Sequence, residues 1–280
     1  MSDPRNTYQK RLLSEGYPGL ATLAHNQFSQ SVDKRMDHRP ELQKMITYLG
    51  RLVDFNKNKN LLIIGCGPKP QSLHFLLEIG FNAFGVEPVA SFVKSAGEYL
   101  GSPDRMMIGS SEKIPFPDES QHFILMESVL EHVYSPIQSL QEIYRVLQPG
   151  GFVYITTTNR LSMLLVPRKN EFEIRFFDWL PAIVRESYIF HHLHYEPRLA
   201  RFTERPAVHF FCYSELCKLG RQAGFEKFYS PIDLLRSTDQ GITKSWFRRI
   251  LLRHVQLNPW LRSLVLTQIG GTIIMFKRSA

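Results

Sequence analysis

The sequence has little cysteine and no long hydrophobic run. Its three cysteines, Cys66, Cys212 and Cys217, fit neither a CxxC zinc pattern nor a paired disulfide framework. No apolar stretch reaches the roughly 18 residues of a membrane span, and the polar start is not a signal peptide. These absences predict a soluble, cytoplasmic protein.

The chain also lacks repeats and low-complexity tracts, so disorder and fibrous classes are excluded. Its net charge of +8 is unevenly distributed. Residues 161–280 hold 18 basic and 10 acidic side chains, whereas residues 1–160 hold 16 of each. The asymmetry indicates an anionic partner for the second half, or else an ordinary solvated basic surface.

From residue 60 onwards, short apolar runs alternate with helical patterns. The runs at 61–64, 82–86, 105–108, 122–126 and 152–156 predict strands, with helices at 72–80, 90–100 and 136–147 between them. A helix at 213–224, with Ser214 as its N-cap, and strands at 225–230 and 268–276 follow. This order is typical of a doubly wound, mostly parallel α/β sheet of seven strands with helices on both faces.

A glycine-rich turn follows the first strand directly. In Gly65-Cys66-Gly67 the first glycine permits a sharp turn, and the second lets a ligand approach the backbone. Glu87 ends the second strand, where a carboxylate can accept hydrogen bonds from both ribose hydroxyls. Pro70 breaks the full GxGxxG pattern, which argues against an NAD(P) oxidoreductase. The alternative is an ordinary turn beside a surface glutamate.

Five motifs occur in a fixed order: LLIIGCGP (61–68), GVEP (85–88), GSSEKIPFPDES (109–120), ESVLEHV (127–133) and LQPGGFVYITTTN (147–159). Together they resemble the class I S-adenosylmethionine-dependent methyltransferases, especially the small-molecule group that includes ubiquinone- and menaquinone-pathway enzymes. The resemblance covers about residues 58–160. It implies a Rossmann-like methyltransferase fold, S-adenosylmethionine as cofactor, and methyl transfer to a hydroxyl or carbon of a small-molecule, quinone-like or lipid-linked acceptor.

This resemblance divides the chain into four parts. Residues 1–58 are a helical lead-in, with helical spacing of apolar residues at 42–53, and residues 59–160 form the cofactor-binding core. Residues 161–210 are an insertion after strand five, where the resemblance implies a substrate lid. Residues 211–280 complete the sheet around a second, basic helical insertion at 232–267.

Carried over by position, the resemblance assigns the first cofactor contacts to the turn and to the end of strand two. Gly65, Cys66 and Gly67 pass under the methionine part of the cofactor. Glu87 holds the ribose, and Pro88, the next residue, touches the adenine.

The remaining implied contacts follow strands three and four. Ser110 takes the position where many relatives have an Asp facing the adenine amino group, and Ser111 and Glu112 flank it. Glu127 and Ser128 lie beside the methionine and the transferring methyl group.

Two positions depart from the family pattern. Relatives usually carry an acid two residues before the first glycine, where it accepts from the methionine ammonium, but this chain has Ile63. Lys69 replaces the third glycine of the turn. A lost charge-assisted hydrogen bond costs about 1.5–3 kcal/mol. Weaker binding, a compensating carboxylate elsewhere, and a non-catalytic cofactor-binding or scaffold relative are the open alternatives.

The best candidate for a catalytic base is His132, after strand four; local packing is its alternative role. Ubiquinone-pathway O-methyltransferases resemble this segment but have an E-x-x-E-H constellation that can hold a metal. Ser128 replaces the first Glu, so no metal is predicted. HHLHYE (191–196) is likewise interpreted as a polar-aromatic insertion, not a metal site. A third alternative is an RNA methyltransferase. The base-methylation signature Asn/Asp-Pro-Pro-Tyr is absent, which argues against nucleic acid as the acceptor.

Residues 242–266 combine positive charge with bulky apolar side chains. They include no acid, the three large residues Trp246, Phe247 and Trp260, and five basic residues: Lys244, Arg248, Arg249, Arg253 and Arg262. On a helix, Phe247, Ile250, Leu251 and Val255 share one face. The pattern suits a helix on an anionic membrane surface, which predicts membrane association. A helix that lies on the sheet with a solvated basic face is the alternative.

Overall fold

The computed structural model describes residues 39–159, 180–181, 184, 188, 209–239, 245–266 and 271–279. Within them, seven strands form one sheet in the order β3-β2-β1-β4-β5-β7-β6. The strands are β1 Asn60–Ile64, β2 Asn82–Glu87, β3 Met106–Ile108, β4 Gln121–Glu127, β5 Leu147–Thr157, β6 Lys227–Tyr229 and β7 Gly271–Phe276. Strands β1 to β5 pair in parallel, and β7 is antiparallel to both β5 and β6. The predicted doubly wound, mostly parallel sheet is confirmed.

The helices cover both faces of this sheet. They are α1 Arg39–Leu49, α2 Gln71–Glu78, α3 Ala90–Leu100, α4 Pro136–Val146, α5 Tyr213–Ala223, α6 Pro231–Leu234, α7 Trp246–Leu257 and α8 Pro259–Leu266. One apolar core joins the sheet to α1, α2 and α3, and a second joins it to α4 and α5.

Strand β1 belongs to both cores, which explains its uninterrupted apolar sequence. Leu61 and Ile63 pack into the core with α2, while Leu62 and Ile64 pack into the core with α4. All four side chains are buried. A central parallel strand needs apolar residues on both of its faces, so the usual alternation disappears.

Two local predictions were wrong. Strand five was predicted at 152–156, but β5 begins at Leu147 and takes in residues 148–151, with a register shift between Gln121 and Phe123 on the paired strand. Ser214 was expected to cap α5, but the helix begins at Tyr213. Its first turn is held instead by Glu215, whose carboxylate accepts a hydrogen bond from the Cys212 N–H at 2.8 Å.

The insertions are described unequally. Helices α6, α7 and α8 confirm a helical insertion after strand six, and α1 confirms the helical pattern before strand one. Residues 1–38, and most of the predicted lid at 161–210, lie outside the described residues. The boundaries of the four parts stay predictions.

A largely buried ion pair ties the segment after α1 to the segment after α6. The Arg51 guanidinium donates to Asp239 Oδ2 at 2.8 Å and to the Leu234 carbonyl at 2.6 Å. The side chains of Arg51 and Asp239 are 16% and 8% exposed. The hydrogen bond from Arg51 holds the pKa of the Asp239 carboxyl below its usual range.

We expect Asp239→Ala to lower the free energy of unfolding by about 2 kcal/mol or more, because it leaves a buried guanidinium without its carboxylate. Glu226→Ala is the matched control, since Glu226 pairs with Arg278 at 3.6 Å and both side chains are mostly exposed. That change should cost less than about 1 kcal/mol. Urea denaturation measures both, and equal losses would contradict the prediction.

Candidate cofactor site

The register of the parallel strands sets the position of the site. Ile64 pairs with Val86 on one side and with Met126 on the other. The next residue of each strand therefore reaches the same edge of the sheet: Gly65, Glu87 and Glu127. Ligands of doubly wound folds bind at this carboxyl edge.

The turn after β1 adopts a backbone that requires glycine. Gly65 and Gly67 have φ angles of 75° and 65°, in the left-handed region. A Cβ atom on Gly65 would lie 2.2 Å from Val129 Cγ2, in the segment after β4. Between them, the Cys66 thiol donates to the Ile63 carbonyl at 3.3 Å. Burial, with a smaller effect of the nearby Glu87 carboxylate, raises the pKa of this thiol, which packs against the core with α2 and is not a nucleophile.

Glu87 is a buried carboxylate beside this turn, with only 6% of its surface exposed. Its Oε2 atom accepts from the Gly67 N–H at 3.0 Å, and its Oε1 atom accepts from the Val89 N–H at 3.3 Å. A buried carboxylate at this position is the kind of acceptor that ribose hydroxyls require. The glycine backbone and this carboxylate fit a nucleoside cofactor.

Two apolar side chains flank Glu87 at the same edge. Pro88 follows it and is exposed. Ile108, at the end of β3, pairs in register with Glu87 and is 59% exposed. Ile108 was not predicted as a site residue; the one signal in the sequence was an apolar residue at the end of strand three. Such a surface suits the face of an adenine ring.

The serines and glutamate after β3 make contacts within the protein. Ser110 is half-buried and shares two backbone hydrogen bonds with Lys113. The Oγ atom of Ser111 lies 2.8 Å from that of Ser139 on α4. Glu112 Oε1 accepts from the Tyr134 N–H at 2.7 Å. Ser111 and Glu112 thus fix this turn to the start of α4, and their cofactor contacts stay predictions.

The segment after β4 carries Ser128, which was predicted to contact the cofactor, and His132, the predicted catalytic base. Ser128 is exposed and has φ 52°, a left-handed conformation that is uncommon outside glycine. Its N–H donates to the Thr156 carbonyl at 2.8 Å, which fixes the turn against β5. His132 is half-buried in the following turn, where its N–H donates to the Val129 carbonyl at 2.9 Å.

Glu131, next to His132, was not predicted as a site residue. It is 4% exposed, its carboxylate accepts from the Thr157 hydroxyl at 2.7 Å, and its carbonyl accepts from the His209 N–H at 3.1 Å. Burial raises the pKa of this carboxyl to about 7, although the Thr157 hydrogen bond acts in the opposite direction. An acid between Leu130 and Val133 was the one weak signal in the sequence.

We expect Glu131 to make the protein less stable as the pH rises. The unfolded carboxyl ionises near pH 4.5, whereas the folded one stays protonated until about pH 7. Between these values the folded state holds one more proton, so wild-type protein should lose about 3 kcal/mol relative to Glu131→Gln, with no further loss above pH 7.

Urea denaturation of both proteins from pH 4 to pH 8 measures this difference. Glu226→Gln, which replaces an exposed carboxylate by the same amide, is the matched control. A constant difference for Glu131→Gln would show that the carboxyl titrates normally.

In the described part of the chain, no group of three or more His, Cys, Asp or Glu side chains could hold a metal ion. The HHLHYE segment at 191–196 lies outside the described residues.

Comparison with known proteins agrees with this geometry. Residues 62–155 match the family model described as a methyltransferase domain. An uncharacterized methyltransferase of Schizosaccharomyces pombe is 29% identical over 139 residues, which cover 46% of this chain and 49% of that protein. A demethylmenaquinone methyltransferase of Listeria welshimeri is 30% identical over 107 residues, or 36% of this chain and 45% of that protein. The chain thus spans about half the length of the curated relatives it matches.

A solved structure extends the comparison to the fold. An S-adenosylmethionine-dependent methyltransferase from Mesorhizobium loti superposes with a TM-score of 0.50 at 13% identity, covering 87% of this chain and 98% of that one. The sheet order and the glycine turn define a nucleoside-binding α/β domain. With the family match, residues 62–155 form a methyltransferase domain, and the resemblance to class I S-adenosylmethionine-dependent methyltransferases seen in the sequence is confirmed for this part of the chain. S-adenosylmethionine is therefore the cofactor of the domain.

Proposed function

We propose that the protein transfers a methyl group from S-adenosylmethionine to a hydroxyl or carbon atom of a quinone-like or lipid-linked small molecule. The observation that carries the proposal is the Gly65–Gly67 backbone with the buried Glu87 beside it, at the carboxyl edge of a methyltransferase domain. When bound, the cofactor supplies an electrophilic methyl group on a sulfonium. The task of the chain is then to hold the two reactants in line.

Glu127 compensates for the missing acid at position 63. Ile63 is 5% exposed and packs in the core, so it offers nothing to an ammonium group. Glu127 stands one residue beyond the Ile64–Met126 pair, beside Gly65, and is half-buried. Burial first and the Glu127 charge second raise the pKa of Tyr154, so the Glu127 carboxylate lies near this tyrosine of β5. In our proposal, Glu127 accepts from the methionine ammonium of the cofactor.

Calorimetric titration with two ligands separates the roles of the two carboxylates. Glu127→Gln should weaken S-adenosylmethionine by about tenfold or more, because a charge-assisted contact is lost. It should leave methylthioadenosine unchanged, since that compound lacks the amino acid part. Glu87→Gln should weaken both ligands.

Equal effects of Glu127→Gln on the two ligands would contradict the assignment of Glu127. Lys113→Gln, an exposed change near the site, is the control for unspecific charge effects. Failure of a well-folded wild-type protein to bind either ligand would overturn the cofactor site itself.

Two observations support an acceptor of this chemical class. Strand β4 ends at Glu127 and is followed by Ser128, Val129 and Leu130, and this segment lacks the two prolines and the aromatic residue of base N-methyltransferases. The relative from Listeria welshimeri is named for action on demethylmenaquinone, a quinone. Methyl transfer to a hydroxyl or an acidic carbon needs a base. His132 follows the same turn, whereas Glu131 is enclosed by β5 and residue 209. His132 is therefore the proposed base.

We expect His132→Asn to lower the rate of methyl transfer to quinol and phenol acceptors by about a hundredfold or more, the usual contribution of a general base. The affinity for S-adenosylmethionine should not change. Formation of the demethylated cofactor product, measured with a panel of these acceptors, checks the first point, and calorimetry checks the second. Tight cofactor binding with no product from any acceptor would favour the non-catalytic alternative.

A further inference from the structure

Helices α7 and α8 form a hairpin with a fixed position on the domain. Val255 and Leu266 are buried against Ile232 of α6. The Gln256 side-chain amide donates to the Ile232 carbonyl at 2.9 Å, and the Arg262 guanidinium donates to Asp233 Oδ2 at 2.6 Å. The hairpin is therefore attached along one side through apolar, polar and ionic contacts.

The bend between the two helices is also fixed. Asn258 Oδ1 accepts from the Trp260 N–H at 2.9 Å and from the Leu261 N–H at 3.2 Å. This arrangement caps the start of α8. Both helices thus keep one orientation relative to each other.

The opposite side of the hairpin carries an apolar surface, which we call the outer face. Its members are large apolar side chains that are between 40% and 86% exposed: Trp246, Phe247, Ile250, Leu251, Leu257, Trp260, Leu261 and Leu264. Val255 was predicted to share one face with Phe247, Ile250 and Leu251. Of these four side chains only Val255 is buried, and the other three are exposed. Eight large apolar side chains exposed on one hairpin are more than scattered surface residues, and such an exposed apolar group usually marks an interaction site.

The charges around the outer face indicate the chemistry of the partner that it binds. Residues 245–266 contain four arginines and no acidic residue. Arg262 forms an ion pair with Asp233. Arg249 and Arg253 are exposed one helical turn apart at the border of the outer face. A protein partner would have to combine apolar and acidic surfaces, but an anionic bilayer offers both acyl chains and phosphates. Tryptophan beside arginine is the composition of a helix in a membrane interface.

We propose that the outer face of the α7–α8 hairpin docks the protein on an anionic lipid membrane. The large apolar side chains enter the boundary between headgroups and acyl chains, and Arg249 and Arg253 contact lipid phosphates. No helix in the described part of the chain is long and apolar enough to cross a membrane. The proposal holds for any acceptor, and so does not rest on the proposed function.

The hairpin also contacts the carboxyl edge of the sheet, where the cofactor site lies. The Asn159 side-chain amide, just beyond β5, donates to the Leu266 carbonyl at 3.2 Å, at the end of α8. Residues Ser128 and Thr157 of the site lie on the same side of the sheet, at the ends of β4 and β5. A docked hairpin would therefore hold the carboxyl edge of the sheet near the membrane surface.

Vesicle binding by the full-length protein tests the proposal. Vesicles of phosphatidylcholine with about a third phosphatidylglycerol should sediment the protein at low salt, and pure phosphatidylcholine much less. Trp246 and Trp260 are two of the three tryptophans, so their fluorescence should shift to the blue on binding and be quenched by brominated lipid. Absence of sedimentation and of quenching would overturn the proposal.

Variants separate the two contributions. Arg249→Gln with Arg253→Gln should lower the partition coefficient about 25-fold, at about fivefold for each lost cation. Leu257→Ser with Trp260→Ser should lower it by at least about tenfold through lost apolar burial. The matched controls, Lys218→Gln with Lys227→Gln and, separately, Tyr99→Ser, change exposed side chains elsewhere and should bind as wild type.

Sedimentation velocity without lipid tests the competing occupant, a second copy of the chain. A monomer, or a dimer that the Leu257→Ser, Trp260→Ser variant leaves intact, agrees with membrane docking. A stable dimer that this variant dissociates, together with failure to bind vesicles, would assign the outer face to self-association instead.

Discussion

The parallel pairing of β1 with both β2 and β4 is the constraint on which the rest of the site depends. Parallel strands end at one edge, and the shared register of Ile64 with its two neighbours brings Gly65, Glu87 and Glu127 to the same level. The pairing itself depends on burial of β1 on both faces. An apolar core on each side of the sheet thus fixes the position of the polar groups at its carboxyl edge.

Much of this arrangement could be predicted because it is local. An apolar run followed by glycine, and an acid at the end of the next run, are properties of short segments, and they identified the turn and Glu87. The direction of β7 is different, since apolar residues suit either direction and long-range pairing decides. The register shift in β5 likewise depends on its partner β4, and no pattern within residues 147–151 indicates it.

The sequence also did not predict which side chains are buried in α7 and in the segment after β4. Periodicity shows which side chains of α7 share a face, but not whether that face points inward. The hairpin exposes Phe247 and buries Val255 because α6 offers a place for one side only. Glu131 is the converse, an acid enclosed because residue 209 returns across the segment after β4. Both outcomes depend on contacts between distant segments, which sequence patterns do not report.

The sheet order has a consequence for how the protein is made. Strand β7 lies between β5 and β6 but is synthesised after both, so β5 has no partner on one side until β7 emerges. Because the side chains of β5 that face the cores are apolar, this open strand is a site for wrong pairing between nascent chains. The antiparallel ladder that β7 completes with β5, across six residue pairs, closes that edge late. Chaperone binding to β5 before β7 pairs with it would therefore raise the yield of folded protein.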